Sequence, residues 1–401
     1  MRGFHHRPLP ENKSSGIGSV FDGFIHWQRI EWPILLVGAM LLGTGMVFIQ
    51  AMAQADDLFE RHDISWAGHV KKVVVSLPVL VIAFFVRPRF LRRHAWQIYA
   101  FCLALLGLVP FIGSVHNNAR RWIQMPLGFD LQPSEIAKLG LIILLGSLLY
   151  RRRLRELDEW FAPTFFALIP IVLVAAQPDL GTAMTIVPIT LGMYYLAGAS
   201  ARILIALCLV MALTGFSIWK LELVQDYQLK RVDTWVETYE PEGLIAGRKR
   251  GGFHAHQART AIGNGSIYGR GLGLGIANQA GHLPERESDS IFAVIAEEGG
   301  WIGASALLGV YALFVCLILA SAGAIRERFA RLVVGGIGLY FGAHFFIHVA
   351  VNLGLLPMTG LTLPLISTGG SSMLASFAAV GLVLGLGARH EPSLDEDAFR
   401  F

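Results

Sequence analysis

Asp289 is the side chain in this sequence best placed to do chemistry. It stands where a long polar stretch, 220–288, gives way to apolar sequence, and an ionisable group at the mouth of a membrane helix is costly to leave unpaired. A lone carboxylate in such a place can remove a proton from a hydroxyl group. It can instead hold a divalent cation such as Mg²⁺ or Mn²⁺, and the sequence does not separate these two roles. The plainer alternative is a helix N-cap, since Asp commonly caps a first turn.

Four shorter polar motifs also interrupt apolar sequence. They are ARRWI at 119–123, QPSEIAK at 132–138, QPDLGT at 177–182 and ISTGGSS at 366–372. Glu135 and Lys138 are three residues apart and share a helix face, so the anionic neighbour that Lys138 needs is either Glu135 or a substrate phosphate. Three of these motifs also have a structural explanation, because QPSEIAK suits a helix start, QPDLGT a tight turn and ISTGGSS close helix packing.

The composition is that of a membrane protein. Of 401 residues, 54% are hydrophobic and only 15% are charged, whereas about a quarter are charged in soluble domains. The net charge of +4 is small, so no nucleic-acid partner is implied. Cys102, Cys208 and Cys316 lie in apolar runs, which argues against a disulfide framework or a metal cluster. No short apolar core follows the start, so we expect no removable signal peptide.

The apolar runs predict an all-α integral membrane protein, a bundle of about ten transmembrane helices with a large extracytoplasmic loop between helices 7 and 8. A span needs roughly 20 apolar residues. The predicted segments are 33–54, 69–87, 95–115, 133–150, 162–178, 181–198, 201–219, 289–321, 331–353 and 365–388. This gives a tail at 1–32, a membrane domain at 33–388 that includes the loop 220–288, and a second tail at 389–401.

Arginine clusters predict the orientation of the bundle. Short loops rich in Arg and Lys stay cytoplasmic, and such clusters follow the second, fourth, sixth and eighth segments, at 87–93, 151–155, 202 and 326–331. Both termini are then cytoplasmic, and the polar motifs gather at the outer end of the bundle. The glycine-rich run 263–275 lies in the outer loop with no strand before it, so we expect a flexible or closely packed surface loop and no nucleotide site.

These placements predict one external site. Its catalytic residue is Asp289, with Asp289 also the possible metal ligand. The predicted substrate-binding residues are Arg120, Arg121, Trp122, Gln132, Ser134, Glu135, Lys138, Gln177, Asp179, Arg259 and Ser371. Glu297 lies roughly 12 Å further along its helix than Asp289 at ~1.5 Å per residue, so the two do not form a close carboxylate pair. We expect Glu297 or Glu298 to form a structural ion pair with another helix.

The motifs together resemble those of the SEDS family (shape, elongation, division and sporulation), whose members include FtsW, RodA and SpoVE. The resemblance runs in order through ARRWI, QPSEIAK, QPDLGT, the segment 257–271, LPE…D…IFAVIAEE at 283–298 and GLLPMTGLTLPLISTGGSS at 354–372. It covers nearly the whole chain beyond the N-terminal tail. The sequence departs from the family pattern at Glu287, Ser290 and Thr368, where the family commonly has His, Phe and Tyr, and its motifs leave the elongation, division or sporulation subtype open.

The resemblance implies a membrane glycosyltransferase that polymerises lipid II into peptidoglycan strands outside the bacterial cytoplasmic membrane. In that family the acid at the position of Asp289 is required for polymerisation. The implied partners are lipid II, a class B penicillin-binding protein as transpeptidase, other elongation or division machinery and membrane lipids. No cofactor beyond a divalent cation is expected. A lipid II flippase and a non-catalytic scaffold for a transpeptidase are the alternatives from other functional classes.

Overall fold

The computed structural model describes residues 30–58, 64–116, 119–125, 129–152, 154–220, 226–237, 253–279, 283 and 285–389. The predicted tails lie almost entirely outside these residues. The helices are α1 (Trp32–Leu58), α2 (Trp66–Phe85), α3 (Pro88–Arg93), α4 (Ala95–Ile112), α5 (Pro133–Leu149), α6 (Leu157–Ala176), α7 (Leu180–Ala197), α8 (Ala201–Lys220), α9 (Asp226–Glu237), α10 (Phe253–Asn264), α11 (Ile276–Gln279), α12 (Ile291–Ala324), α13 (Arg328–Asn352) and α14 (Gly370–Gly387).

Helices lie at all ten positions where the apolar runs predict them, so the all-α membrane fold is confirmed. Seven of the described helices are long and apolar enough to cross a membrane, namely α1, α2, α4, α6, α12, α13 and α14, while α7 and α8 contain shorter apolar helices. The chain is a multi-pass membrane protein. The number of crossings, ten, stays a prediction.

The most deeply buried helices are α5, α13 and α14, and small residues let them pack closely. A Cβ added at Gly385 of α14 would lie 2.1 Å from the carbonyl oxygen of Phe84 in α2, so these two backbones touch. Gly336 of α13 packs against the side chains of Ile142 of α5 and Met193 of α7, where an added Cβ would lie 2.7 and 3.0 Å from the nearest atoms. These contacts form the core that holds the polar ends of the helices together.

Some predicted boundaries are wrong for identifiable reasons. The last segment begins at Gly370 and not at 365, because Leu365 has a left-handed backbone (φ 69°) and residues 364–366 form a turn. Helix α12 begins at Ile291 and contains a kink at Gly300, whose φ of 66° is not helical. A small antiparallel sheet, which the hydropathy pattern did not predict, precedes α5; its strands are β1 (Ser114–His116), β2 (Ala119–Met125) and β3 (Phe129–Leu131), in that order.

The segment between α8 and α12 has structure of its own, with the helices α9, α10 and α11. Its glycine-rich run packs on the kink of α12, where a Cβ at Gly269 would lie 2.1 Å from the carbonyl oxygen of Glu298. The Glu297 carboxylate accepts from the Ala277 N–H at 3.0 Å, and Glu298 accepts from the Gly273 N–H at 3.0 Å. The packed loop is confirmed. The expected ion pair with another helix is wrong, because the described partners of these carboxylates are hydrogen-bond donors of the loop.

Candidate active site

A tight turn before α12 positions Asp289. The backbone N–H groups of Ser288, Asp289 and Ser290 all donate to the Glu285 carbonyl, at 3.1, 3.0 and 3.3 Å, and Glu285 has a left-handed φ of 46°. The N-cap of α12 is Ser290, and the Asp289 side chain stands one residue before it. The interpretation of Asp289 as the helix cap is therefore wrong. Its carboxylate can therefore take part in contacts other than helix capping.

Two other parts of the chain hold this turn in place. Asn352, at the end of α13, donates to the Asp289 carbonyl at 3.0 Å. The segment before α14 contributes two more bonds, from Ser367 Oγ to the Ser288 carbonyl at 2.7 Å and from the Thr368 N–H to the Glu287 carbonyl at 2.9 Å. The backbone around Asp289 is thus fixed by hydrogen bonds on both sides.

Arg286 ties the same turn to α1 and α11. Its guanidinium is buried and forms an ion pair with Asp56 at the end of α1. It also donates to both oxygens of Asn278, the backbone carbonyl at 2.7 Å and the side-chain Oδ1 at 3.0 Å. A buried arginine with a carboxylate and two neutral acceptors is well compensated, so the turn is anchored rigidly.

The surroundings of Asp289 favour its neutral form. Burial, and then repulsion from Glu285 and Glu287, raise the pKa of Asp289 from 3.8 to about 7, while a Ser288 hydrogen bond and the charge of Arg121 partly oppose this. Burial also raises the pKa of Glu287, which the charges of Arg286 and Lys72 partly offset. A carboxylate that titrates near neutral pH is suited to accept a proton from a hydroxyl group.

The motifs QPSEIAK and QPDLGT meet beside this turn, as the prediction of one site requires. Asp179 caps α7 by accepting from the Thr182 N–H at 3.3 Å, and its other oxygen accepts from Gln132 Nε2 at 2.8 Å. Arg121 Nη1 lies 3.7 Å from the Asp179 carboxylate, and the guanidinium also donates to the Pro178 carbonyl. Asp179 therefore serves as cap and as anchor for the cation together.

Other predicted residues play supporting parts in the same region. The Ser371 hydroxyl accepts from the Gln132 N–H at 2.6 Å and donates to the Asp130 carbonyl at 2.7 Å, joining α14 to β3 and α5. Gln177 donates to the Leu106 carbonyl of α4 at 2.8 Å. Arg120 is exposed and donates to the Pro110 carbonyl at 3.1 Å, and Trp122 lies partly buried next to Arg121 on β2.

Glu135 and Lys138 lie deeper, inside the bundle. Lys138 Nζ lies 2.6 Å from Glu135 Oε1 and 2.6 Å from His344 Nε2, and the Tyr340 hydroxyl donates to Glu135 Oε2 at 3.3 Å. Glu135, and not a substrate phosphate, is thus the anionic neighbour of Lys138, and His344 is its second partner. Ser134 directly precedes Glu135 in the sequence, and its buried Oγ has no described hydrogen-bond partner.

The remaining predicted residue, Arg259, lies on α10. A Cβ at Gly354 would come 2.9 Å from Arg259 Cδ, so the arginine stem packs on the segment after α13. No group of three or more His, Cys, Asp or Glu side chains among the described residues is arranged to hold a metal ion. A divalent cation at Asp289 stays a prediction, because a cation shared with a substrate diphosphate needs only one or two carboxylates from the protein.

Sequence reasoning missed several residues of the site. Lys72 of α2 donates to the Thr368 carbonyl at 3.3 Å and its charge interacts with Glu287 and Asp130. A lysine four residues into a predicted span was a signal that could have been used. His344, His348 and Asn352 recur every four residues on α13 and are fully buried, but nothing in the sequence showed which helix their face meets.

The sequence and the fold of this chain are similar to those of known proteins. Residues 31–391 match the family model FTSW_RODA_SPOVE, described as cell cycle protein. The chain is 31% identical over 364 residues to the peptidoglycan glycosyltransferase MrdB of Escherichia coli strain K12, covering 90% of this chain and 94% of that protein. It is 34% identical over 402 residues to the "Probable peptidoglycan glycosyltransferase FtsW" of Burkholderia thailandensis, covering 92% and 82%.

Two solved structures are similar over most of their length. One, reported under the heading "Structural coordination of polymerization and crosslinking by a peptidoglycan synthase complex", contains a chain with a TM-score of 0.75 and 28% identity, covering 90% of this chain and 98% of that one. The other is the rod shape determining protein RodA of Thermus thermophilus, with a TM-score of 0.66 and 26% identity, covering 90% and 97%.

Proposed function

Because the chain belongs to the FtsW, RodA and SpoVE family of cell cycle proteins, we propose that it is an inner-membrane peptidoglycan glycosyltransferase with Asp289 as its general base. It transfers the lipid-linked growing glycan chain onto lipid II at the outer face of the membrane. The observation that carries the assignment is the Asp289 carboxylate, which is fixed in a rigid turn, does not cap a helix and has a pKa of about 7.

In the proposed reaction Asp289 takes the proton from the 4-hydroxyl of the terminal N-acetylglucosamine of lipid II. The oxygen forms a bond to the anomeric carbon of the growing chain, and the bond from that carbon to the diphosphate breaks, so the configuration inverts. Undecaprenyl diphosphate leaves with the bonding electrons. A positioned base contributes about 10²–10⁴-fold to such a reaction.

Cations near Asp289 supply the second part of the mechanism. The leaving diphosphate gains negative charge as its bond breaks, and fixed cations stabilise that charge most where water is partly excluded. Arg121 is held by Asp179 and Pro178, and Lys72 is held by Thr368, so both start in defined positions near the turn. Lys138 sits deeper, and its part is to keep Glu135 and the start of α5 in place.

The orientation is part of the proposal. Arginine-rich loops predict that both termini are cytoplasmic, and the turn at Asp289 then faces outward. The similar structure comes from a peptidoglycan synthase complex in which polymerization and crosslinking are coordinated, and this supports a crosslinking partner for this chain. We assign that partner to the class B penicillin-binding proteins, whose transpeptidase reaction consumes glycan strands.

The polar stripe on α13 argues against the flippase alternative. It runs from Asn352 at the site through His348 and His344 to Tyr340, and the buried side chains further along α13 are apolar, such as Ile337 and Val333. A polar headgroup crossing the membrane needs a polar path to the opposite side. The described stripe stops about halfway along the helix.

The test is incubation of the purified protein with labelled lipid II, with and without EDTA and with and without the transpeptidase, followed by gel analysis of glycan length. We expect polymer from the wild type. Polymer that persists in EDTA supports Asp289 as base, whereas its complete loss, restored by Mg²⁺ or Mn²⁺, supports the metal alternative. Movement of lipid II across proteoliposomes without polymer would support a flippase, and no polymer under any condition would support a scaffold.

A further inference from the structure

Three buried side-chain atoms near Asp289 have no described hydrogen-bond partner. They are His348 Nε2, Asn352 Oδ1 and Thr359 Oγ1, on side chains that are 1%, 0% and 3% exposed. A buried polar atom left unpaired costs free energy, so such atoms call for a physical explanation. We refer to these three residues as the acceptor triad.

One member of the triad, Thr359, belongs to the segment 359–361, which lies against the Asp289 carboxylate. A Cβ added at Gly360 would be 3.4 Å from Asp289 Oδ2, so the backbone between Thr359 and Leu361 passes directly beside the carboxylate. His348 Nδ1 donates to the Leu361 carbonyl at 2.8 Å, and Asn352 Nδ2 donates to the Asp289 carbonyl at 3.0 Å. Thr359 is thus the neighbour of Gly360 in the chain, and His348 and Asn352 are hydrogen-bonded to the residues on either side of the contact, Leu361 and Asp289.

The hydrogen bonds already made fix what the free atoms can do. Asn352 Nδ2 donates to two carbonyls, those of Asp289 at 3.0 Å and His348 at 2.9 Å, which identifies the other amide atom as the oxygen, an acceptor. His348 uses its Nδ1–H on Leu361, so Nε2 of the neutral ring is an acceptor too. The Thr359 hydroxyl can accept or donate. A ligand that satisfies all three must bring several hydrogen-bond donors.

We propose that the acceptor triad binds the acceptor sugar of lipid II through its hydroxyl and acetamido N–H groups, beside the base that deprotonates it. This inference rests on the proposed polymerase function and specifies which part of the substrate lies on this side of Asp289. A diphosphate offers acceptor oxygens and no matching set of donors, so it does not satisfy the triad. Its counterparts are the cations Arg121 and Lys72.

The arrangement gives the two substrates separate binding regions of different chemistry. The sugar that supplies the nucleophilic hydroxyl meets acceptors from α13 and the segment 359–361, while the diphosphate of the growing chain meets cations from β2 and α2. A site that hydrogen-bonds a substrate hydroxyl discriminates strongly against an analogue without it, because its own buried groups are then left unpaired. The triad therefore sets specificity for a sugar with free hydroxyl groups.

Two variants each remove one acceptor of the triad. Thr359→Val deletes the hydroxyl. His348→Asn keeps a donor near the position of Nδ1 for Leu361 and removes Nε2. We expect each to raise the KM for lipid II by roughly 5- to 100-fold with a much smaller change in kcat, the range for leaving a buried hydrogen bond unmade. Thr359→Ser restores the hydroxyl and should restore the KM. Thr190→Val is the matched control, since the described hydrogen bond of that buried hydroxyl is to the Ile186 carbonyl of its own helix.

Deoxy analogues of lipid II, each lacking the 3- or 6-hydroxyl of the terminal N-acetylglucosamine, identify the contact. If a triad member binds the missing hydroxyl, the wild type should have a lower kcat/KM for the analogue than for lipid II. The variant that lacks this triad member should have nearly the same kcat/KM for both substrates. Unchanged KM in both variants, or a loss confined to kcat, would overturn the proposal. Because wild-type polymerisation of lipid II is measured in the same experiment, failure of the polymerase assignment is seen separately as absence of polymer.

Discussion

The pH dependence of polymerisation gives a quantitative test of the environment of Asp289. Its raised pKa of about 7 means that the carboxylate is only partly ionised at neutral pH. If the ionised form is the base, activity is proportional to the ionised fraction, which is ~10% at pH 6 and ~90% at pH 8. We therefore expect kcat/KM for lipid II to rise about ninefold between these values and then to level off.

The like charges that raise this pKa offer a matched perturbation. Glu287→Gln removes one of the two repelling carboxylates, so the pKa of Asp289 should fall and the activity should reach its plateau at lower pH. Glu156→Gln, which changes an exposed residue at the start of α6, is the control and should leave the profile in place. Initial rates of glycan formation across pH 5–9 measure both. A wild-type rate that is flat from pH 5 to 9 would refute the reasoning.

Stability should show the same ionisation with a defined sign. A folded-state pKa of about 7 lies above the unfolded value of 3.8, so protonated Asp289 favours folding at low pH and this contribution is lost as pH rises through 7. The full shift corresponds to about 4 kcal/mol, and screening of the partly exposed side chain reduces it to roughly half. Asp289→Asn should therefore melt at a higher temperature than wild type at pH 8 and at a similar one at pH 4.

Three further substitutions test the framework of the site by thermal melting in detergent. Arg286→Gln leaves Asp56 without its buried guanidinium and should cost about 3–5 kcal/mol, whereas Arg155→Gln at an exposed position should cost under about 1 kcal/mol; equal melting would refute the anchoring role. Gly300→Ala places a Cβ 2.2 Å from the Gly269 nitrogen at a φ of 66° and should cost at least 1–3 kcal/mol, while Gly299→Ala, with open space around it, should be neutral. Lys138→Met leaves the buried Glu135 carboxylate without its cation and should lower the free energy of unfolding by about 3–5 kcal/mol. The double variant Lys138→Met with Glu135→Leu should recover part of this loss, and a double variant as unstable as the single one would contradict this.

The sequence predicted the architecture and the gathering of the motifs well, because apolar length fixes membrane helices and their order fixes which ends meet. It placed Gln132, Asp179 and Ser371 together correctly, as their hydrogen bonds confirm. It could not separate a cap from a free carboxylate at Asp289. That distinction depends on the left-handed Glu285 and on the bonds from Ser367 and Asn352, which are tertiary contacts.

The partners of buried polar groups were also beyond sequence reasoning. Lys138 pairs with His344 across 206 positions because α5 packs on α13, and spacing along the chain contains no information about that contact. The pairing of Glu297 and Glu298 with backbone N–H groups of a glycine-rich loop is similar, since it needs the kink at Gly300. In each case the residue was recognisable but its partner was not.

The most direct test of the central claim is polymer formation by Asp289→Asn. This variant keeps the shape of the side chain and the backbone bonds of the turn but cannot accept the hydroxyl proton. With the protein shown to be folded by its melting curve, and with Asp158→Asn at the opposite end of the bundle as control, we expect no glycan polymer from labelled lipid II. Polymerisation by Asp289→Asn at the wild-type rate would contradict the assignment of Asp289 as the general base.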